Sequence, residues 1–507
     1  MVLARRGSDG TRMPIASKPE YAAFLDAHPE YESTSRIDQL RATEYRRLDE
    51  RRHVYLDYTG ASLYAESQIR DHLALLNEHV FGNPHSGSPT SSAATALLER
   101  TRRHVLEWFN AGRDYTVVFT PNATGALKLV GEAYPFEPGG RFLATADNHN
   151  SVNGIREFAA AKGASVEYVG LTYPELRIDE AHLHLRLRTG GTRRGAAGAK
   201  LLAFPAQSNF TGVRHPLELI ARAHAAGWDV LLDAAAYVPT SRLDLSRVKP
   251  DFVAVSFYKM FGYPTGVGCL LVRHEALITL RRPWFAGGTV NFATVHARKH
   301  LLSWGEAGFE DGTLNFLGIP AVSIGLQLLA SIGIDTINTR VRCLTEWLLE
   351  QLVSLRHGNG RPMVRIYGPA NSRMRGGTVT LNFYDPEGHL LDYRRIEELA
   401  GAQGISLRTG CFCNPGAGET AESITAEDVE SAIAEAPDMT LPRFLQFITH
   451  RSGKTAGAIR VSLGIASNFA DVQRFVEFAA SFRDQTRLAI GEATFDITSC
   501  RVIRDAS

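Results

Sequence analysis

Residues Asp251–Arg273 read "DFVAVSFYKMFGYPTGVGCLLVR". The stretch begins and ends in nearly continuous apolar runs, and between them stand Lys259 and the turn-forming "GYPTGVG". Apolar runs without alternation signal strands of a sheet covered on both faces. A lysine next to such a strand is unusual, because an ammonium is costly to bury unless it is paired or neutral. Two readings stand. The head reaches back to solvent along its own alkyl stem, or a neutral amine is held ready to condense with a carbonyl.

Elsewhere "YTVVFT", "RFLATA", "ASVEYVGL", "KLLAFPAQ" and "DVLLDAAA" repeat the same strand pattern, separated by helical stretches such as "PLELIARAHAAG". Strands and helices in alternation predict an α/β fold with a mostly parallel sheet. At 507 residues the chain exceeds one core, so more than one domain is expected. We read residues 1–50 as an N-terminal arm over the body, 51–325 as a large domain, 326–490 as a smaller α/β domain and 491–507 as a tail. In open α/β sheets ligands gather at the carboxyl ends of the strands.

Composition narrows the function classes. A formal net charge of +1 gives no electrostatic reason to expect nucleic acid or a membrane surface as partner. No stretch reaches the roughly 18 apolar residues of a membrane span. The opening "MVLARRGSDGTRMPIAS" has arginines but no apolar run behind them, so no signal peptide is expected. Five cysteines at irregular spacings do not describe a secreted disulfide framework, and the cytoplasm is the expected compartment.

The chemistry-bearing residues follow the strands. Asp233 ends the run "DVLLD" 26 residues before Lys259; it can cap a turn or pair with a protonated pyridine nitrogen. "VVFTPNATGALKLVGEA" reads as strand, short polar loop and helix, and such a helix start suits a phosphate. Each signal is weak alone, and together they meet the needs of pyridoxal phosphate. Near the end, "LRTGCFCNPGAGE" (407–419) holds Cys411 and Cys413 one residue apart. A disulfide, half a metal site, a nucleophile or chance are the candidates. The nearby sequence offers no second ligand pair at metal-site spacing, so no metal is expected. Cys269 and Cys343 read as core packing.

The ordered motifs "YLDYTGASL", "FGNPHSGS", "FTPNATGALKLV", "DNHNSVNG", "FPAQSNFTG", "LLDAAAYV", "SFYKMFGYPTGVG", "FEDGTLNF", "RTGCFCNPG" and "AIRVSLG" resemble the fold-type I, class V pyridoxal-phosphate enzymes. Within them the likeness is to cysteine desulfurases, closest to the desulfurase domain of molybdenum-cofactor sulfurases. The resemblance implies a seven-stranded, mostly parallel sheet covered by helices, a smaller C-terminal α/β domain, and pyridoxal 5'-phosphate as cofactor. It implies Lys259 as the Schiff-base lysine, Asp233 on the pyridine nitrogen, His149 stacked on the ring and Asn209 at the phenolic oxygen. Ala123, Thr124 and Ser256 would receive the phosphate, with Gly312 and Thr313 reaching that of a neighbouring subunit in a homodimer. Arg460 would take the substrate carboxylate, and Arg408 would shape its pocket. Cys413 would take sulfur from L-cysteine as a persulfide, leaving L-alanine, and carry it to an acceptor such as a molybdenum cofactor or a biosynthetic partner protein. A glycine-flanked loop would give that thiol mobility.

The sequence also departs from the family. Ala236 and Tyr258 stand where many desulfurases have a glutamine and a histidine, which leaves Lys259 as the most economical acid–base group. Gly418 replaces a third loop cysteine usual in the subgroup. Cys411 remains an auxiliary thiol, a resolving partner or a pocket residue. A C–S lyase, aminotransferase or epimerase would keep Lys259, Asp233 and Arg460 without needing Cys413. A non-catalytic sulfur-relay protein would bind the cofactor poorly.

Overall fold

The computed structural model describes residues 18–84, 86–188, 198–435, 439, 443–444, 447–448, 451, 454, 457–491, 494–496 and 501–503. The first 17 residues of the arm, and Cys500 with most of the tail, lie outside the described residues.

Seven strands form the main sheet: β1 (Tyr115–Thr120), β2 (Arg141–Thr145), β3 (Ser165–Val169), β4 (Lys200–Pro205), β5 (Asp229–Asp233), β6 (Phe252–Ser256) and β7 (Gly268–Arg273). Their spatial order is β1-β7-β6-β5-β4-β2-β3. Only β7 runs against its neighbours. The carboxyl ends of β1, β2, β4, β5 and β6 therefore open on one edge. The unbroken apolar runs have a direct cause. In β6, Val253 and Val255 enter one core while Phe252 and Ala254 enter the other, so both faces of the pleat are buried.

Residues beyond the sheet build the smaller unit. Helices Pro320–Ile332 and Ile334–Ser354 meet at a 68° bend around Gly333 and bury Leu326, Leu329, Leu344 and Leu348 in the large core. No single helix among the described residues is long and apolar enough to cross a membrane. Strands β8 (Val364–Tyr367), β9 (Thr378–Phe383), β10 (Arg408–Gly410) and β11 (Ala458–Ser462) then form a four-stranded sheet ordered β8-β9-β11-β10. The N-terminal arm is packed into the body. The Phe24 ring lies 4.7 Å from that of Phe469 and 4.8 Å from that of Tyr31. Burying an aromatic ring of this kind stabilises by roughly 2–3 kcal/mol.

Candidate active site

β6 delivers Lys259. The strand runs straight into a short helix, Phe257–Phe261, closed by Gly262 at a φ of 80°. Phe257, Met260 and Phe261 are buried, which turns Lys259 into a cavity of about 140 Å³ shared with Asn122, Ala123, Thr124, His149, Gln207, Asn209, Asp233, Ala236, Ser256 and Tyr258. Seven of the expected site residues, Ala123, Thr124, His149, Asn209, Asp233, Ser256 and Lys259, thus meet in one place. Among the described residues, Lys259 Nζ has no hydrogen bond or ion pair. Desolvation pushes its pKa down, opposed by the Asp233 carboxylate. A lowered pKa favours the neutral amine, and a neutral amine is what a carbonyl cofactor requires.

The other donors around the cavity complete the fit. Asp233, 9% exposed, spends Oδ1 on the Ala235 N–H at 3.0 Å and leaves Oδ2 for the cavity. His149 caps the next helical turn by accepting the Ser151 N–H on Nδ1 at 3.1 Å. Burial first, and the nearby Lys259 and Arg460 charges after it, hold its pKa below the usual range although Asp233 opposes them. A neutral ring accepting on Nδ1 carries its proton on Nε2, so His149 is a donor there.

In the phosphate cradle one expected donor is already committed. Ala123 N–H is already given to Ser256 Oγ at 2.8 Å, and Gly125 N–H goes to the Asn122 cap at 3.0 Å. Thr124 N–H and the Ser256 hydroxyl proton remain, so the Ala123 amide acts through Ser256. Gly268 lets this loop approach: a Cβ there would lie 2.6 Å from Asn122 Cα. Asn209 also lines the cavity, but its Nδ2 donates to Phe412 O and its Oδ1 accepts from Asn414, each at 2.8 Å. It anchors the cysteine loop, and only one Nδ2 hydrogen is left for a cofactor oxygen.

The same anchoring revises the expectation of a mobile loop. Only Cys411–Asn414 separate β10 from the helix Pro415–Ala421. Phe412 is 8% exposed, its ring 5.5 Å from Phe210 and 4.8 Å under the Arg460 guanidinium. Asn414 is fully buried and donates to Asp147 O at 2.8 Å. Phe412 and Cys413 both adopt left-handed backbone, with φ of 55° and 53°. Two successive residues there reverse the chain and separate the thiols. Cys413 is exposed and stands close enough for a thiolate to favour the charged forms of Lys259 and Arg460. Cys411 instead stands beside Tyr393. Replacing Asn414 with alanine removes the donor to two buried acceptors; a loss of about 2–3 kcal/mol is expected in urea denaturation.

Arg460 is held as firmly. It is 3% exposed, and donates Nη2 to Asp57 Oδ1 and Nη1 to Asn209 O, each at 3.0 Å. Among the described residues its Nε has no partner. Asp57 lies in the quoted "YLDYTG", yet the sequence reading gave it no role. It takes Arg408 as well, through Nε at 2.9 Å and Nη2 at 2.6 Å. Gln207, Tyr258 and Asn414 were also missed as site residues. Burial raises the Tyr258 phenol, which keeps it a neutral donor. Gly312 and Thr313 are not brought to Lys259 within the chain. Thr313 lines a separate cavity of about 410 Å³ with Lys128, Trp284, Phe309 and Asp311.

Residues 54–475 match the family model described as aminotransferase class-V. The chain is 38% identical over 476 residues to the molybdenum cofactor sulfurase of Solanum lycopersicum, covering 89% of this chain and 57% of that protein. It is 38% identical to that of Arabidopsis thaliana, covering 90% and 60%. The chain thus spans less than two thirds of the length of these relatives. Among solved structures, a cysteine desulfurase from Thermococcus onnurineus superposes with a TM-score of 0.69 at 23% identity, covering 88% of this chain and 97% of that one. The cystine C-S lyase C-DES superposes at 0.62 and 19%, covering 85% and 98%. Both show the fold.

Proposed function

The chain belongs to the aminotransferase class-V family, and from that premise we propose that it is a pyridoxal-phosphate-dependent cysteine desulfurase. L-cysteine gives L-alanine, and the sulfur stays on Cys413 as a persulfide for an acceptor. The carrying observation is that Cys413 stands close enough to Lys259 and Arg460 for its charge to act on both, whereas Cys411 stands beside Tyr393. A C–S lyase on this fold needs no thiol there.

Pyridoxal 5'-phosphate would be held by Lys259, with Asp233 at the ring nitrogen, His149 over the ring, and Thr124, Ser256 and the helix start Ala123–Ala133 at the phosphate. When bound it supplies an electron sink that loosens the Cα–H and C–S bonds of the substrate. The chain's own residues do the rest. Arg460 takes the substrate carboxylate. Lys259, its pKa depressed, accepts and returns a proton at Nζ. His149 donates from Nε2, and Tyr258 offers its phenol. The Cys413 thiolate attacks the substrate sulfur: an S–S bond forms, the C–S bond breaks, and its electron pair leaves with the carbon. That carbon takes a proton to become the methyl group of alanine.

The proposal extends to a homodimer, in which Gly312 and Thr313 serve the partner's site. The neighbouring hairpin exposes Phe292, Val295, Leu301 and Trp304, the last at 89%, an apolar face suited to a second copy. The names of the relatives make a molybdenum cofactor the first acceptor to test. The deciding experiment incubates the protein with L-cysteine and measures alanine, sulfide and pyruvate under reducing conditions. Equal alanine and sulfide support the reading. Pyruvate in place of alanine overturns it in favour of a lyase.

A further inference from the structure

The two arginines near the substrate subsite pose an electrostatic problem. Arg408 and Arg460 are direct partners across the antiparallel pair β10–β11. Like charges opposite each other destabilise a ladder, and here one of the pair is buried. Asp57 resolves it. Its side chain is 9% exposed and accepts from Arg408 on Oδ2 and from Arg460 on Oδ1. The hydrogen bond to Asp57 raises the Arg408 pKa, and the Asp57 charge and hydrogen bond oppose the burial that pushes the Arg460 pKa down. The carboxylate is seated by the chain around it. Gly60 and Ala61 N–H both donate to the Asp57 main-chain carbonyl, which fixes its backbone, and the close approach of Gly60 leaves no room beside the carboxylate, a Cβ there lying 2.6 Å from Oδ2.

Two cations and one anion leave a single positive charge, and the unpartnered, buried Nε of Arg460 marks where it is unspent. We propose that Asp57 is a positioning residue that orients Arg460 toward the substrate carboxylate and limits the subsite to one positive charge. The site thereby selects amino acids bearing one anionic group over those bearing two. Without Asp57, two adjoining guanidiniums would welcome a second carboxylate or a sulfinate. The inference rests on the reading of Arg460 as the carboxylate partner.

The test uses the cofactor-loaded protein and three substitutions, Asp57→Asn, Asp57→Glu and Asp57→Asn with Arg408→Gln. Binding of L-alanine and of L-aspartate is measured by titration calorimetry. Turnover of L-cysteine is measured against that of L-cysteine sulfinate. In Asp57→Asn the ratio of aspartate to alanine affinity should rise at least about 10-fold, with KM for L-cysteine raised more than kcat is lowered. Asp57→Glu, which keeps the charge, should retain the original preference and serves if the asparagine variant does not fold. The double substitution, short of the second cation, should move the ratio back toward that of the unaltered protein. Equal weakening of both ligands in Asp57→Asn, with the ratio unchanged, would reduce Asp57 to a structural residue and overturn the inference. Arg460→Ala binding L-alanine as well as the unaltered protein would instead remove the premise about Arg460.

Discussion

Lys259→Ala should lower L-cysteine turnover by on the order of 10⁴-fold or more, the scale seen when a member of an interdependent catalytic set is lost. The variant should also lack the absorbance of a lysine-bound cofactor. The fold should survive. Lys259 Nζ makes no hydrogen bond among the described residues and sits where desolvation penalises its charge, so its removal relieves a cost. The neighbours Phe257, Met260 and Phe261 carry the packing. With both proteins free of cofactor, whose binding itself stabilises the fold, a melting temperature at or above that of the unaltered protein is therefore expected beside the lost activity. An inactive variant that also melts lower would assign Lys259 to structure.

The depressed amine has a kinetic signature before any turnover. Only the neutral form of Lys259 condenses with an aldehyde. Below its pKa the neutral fraction falls tenfold per pH unit; above it the fraction is saturated. Because burial places that pKa under 10.5, capture of pyridoxal phosphate by the apo protein should rise with pH and level off before 10.5. A rate still climbing nearly tenfold per unit up to about pH 9.5 and only half-saturated near 10.5 would describe an ordinary solvated lysine.

What the sequence made legible follows from how locally each signal is encoded. The apolar strands announced a sheet buried on both faces, because burial of both pleat faces removes alternation from the run itself. Lys259 and Asp233 were visible because each interrupts or ends such a run. Asp57 was not. Its role depends on Arg408 and Arg460, 351 and 403 residues away along the chain, and a carboxylate beside a turn looks like a cap until those arginines converge on it. Asn209 and Ala123 sit in the cavity as expected, yet their hydrogen-bonding groups are committed to protein partners that motif spacing does not reveal. The cysteine loop misled for a related reason. Its glycines suggested freedom, whereas Asn414 and Phe412 fix it through contacts with Asp147, Asn209 and Phe210.

That fixed loop makes the two thiols separable by experiment. Cys413→Ser should abolish protein-bound persulfide and lower alanine formation about 100-fold or more, since a hydroxyl does not replace a thiolate as nucleophile toward sulfur at neutral pH. Cofactor absorbance should be unchanged, because Cys413 contributes nothing to the cradle of Thr124, Ser256 and Asp233. Cys411→Ser should keep activity within about threefold, since Cys411 stands beside Tyr393 rather than Lys259. Mass spectrometry of the protein after one turnover, with and without reductant, reads the extra sulfur directly. Persulfide on Cys411 in the unaltered protein would reverse the assignment and require the Phe412–Cys413 reversal to open. Phe412→Ala tests the link between loop and subsite. It removes the ring that Arg460 covers at 4.8 Å, and should lower persulfide yield while Cys413 itself is intact. The loop is thus expected to work by holding one thiol at the cavity mouth, and sulfur transfer should depend on Phe412 and Asn414 nearly as much as on the thiol they aim.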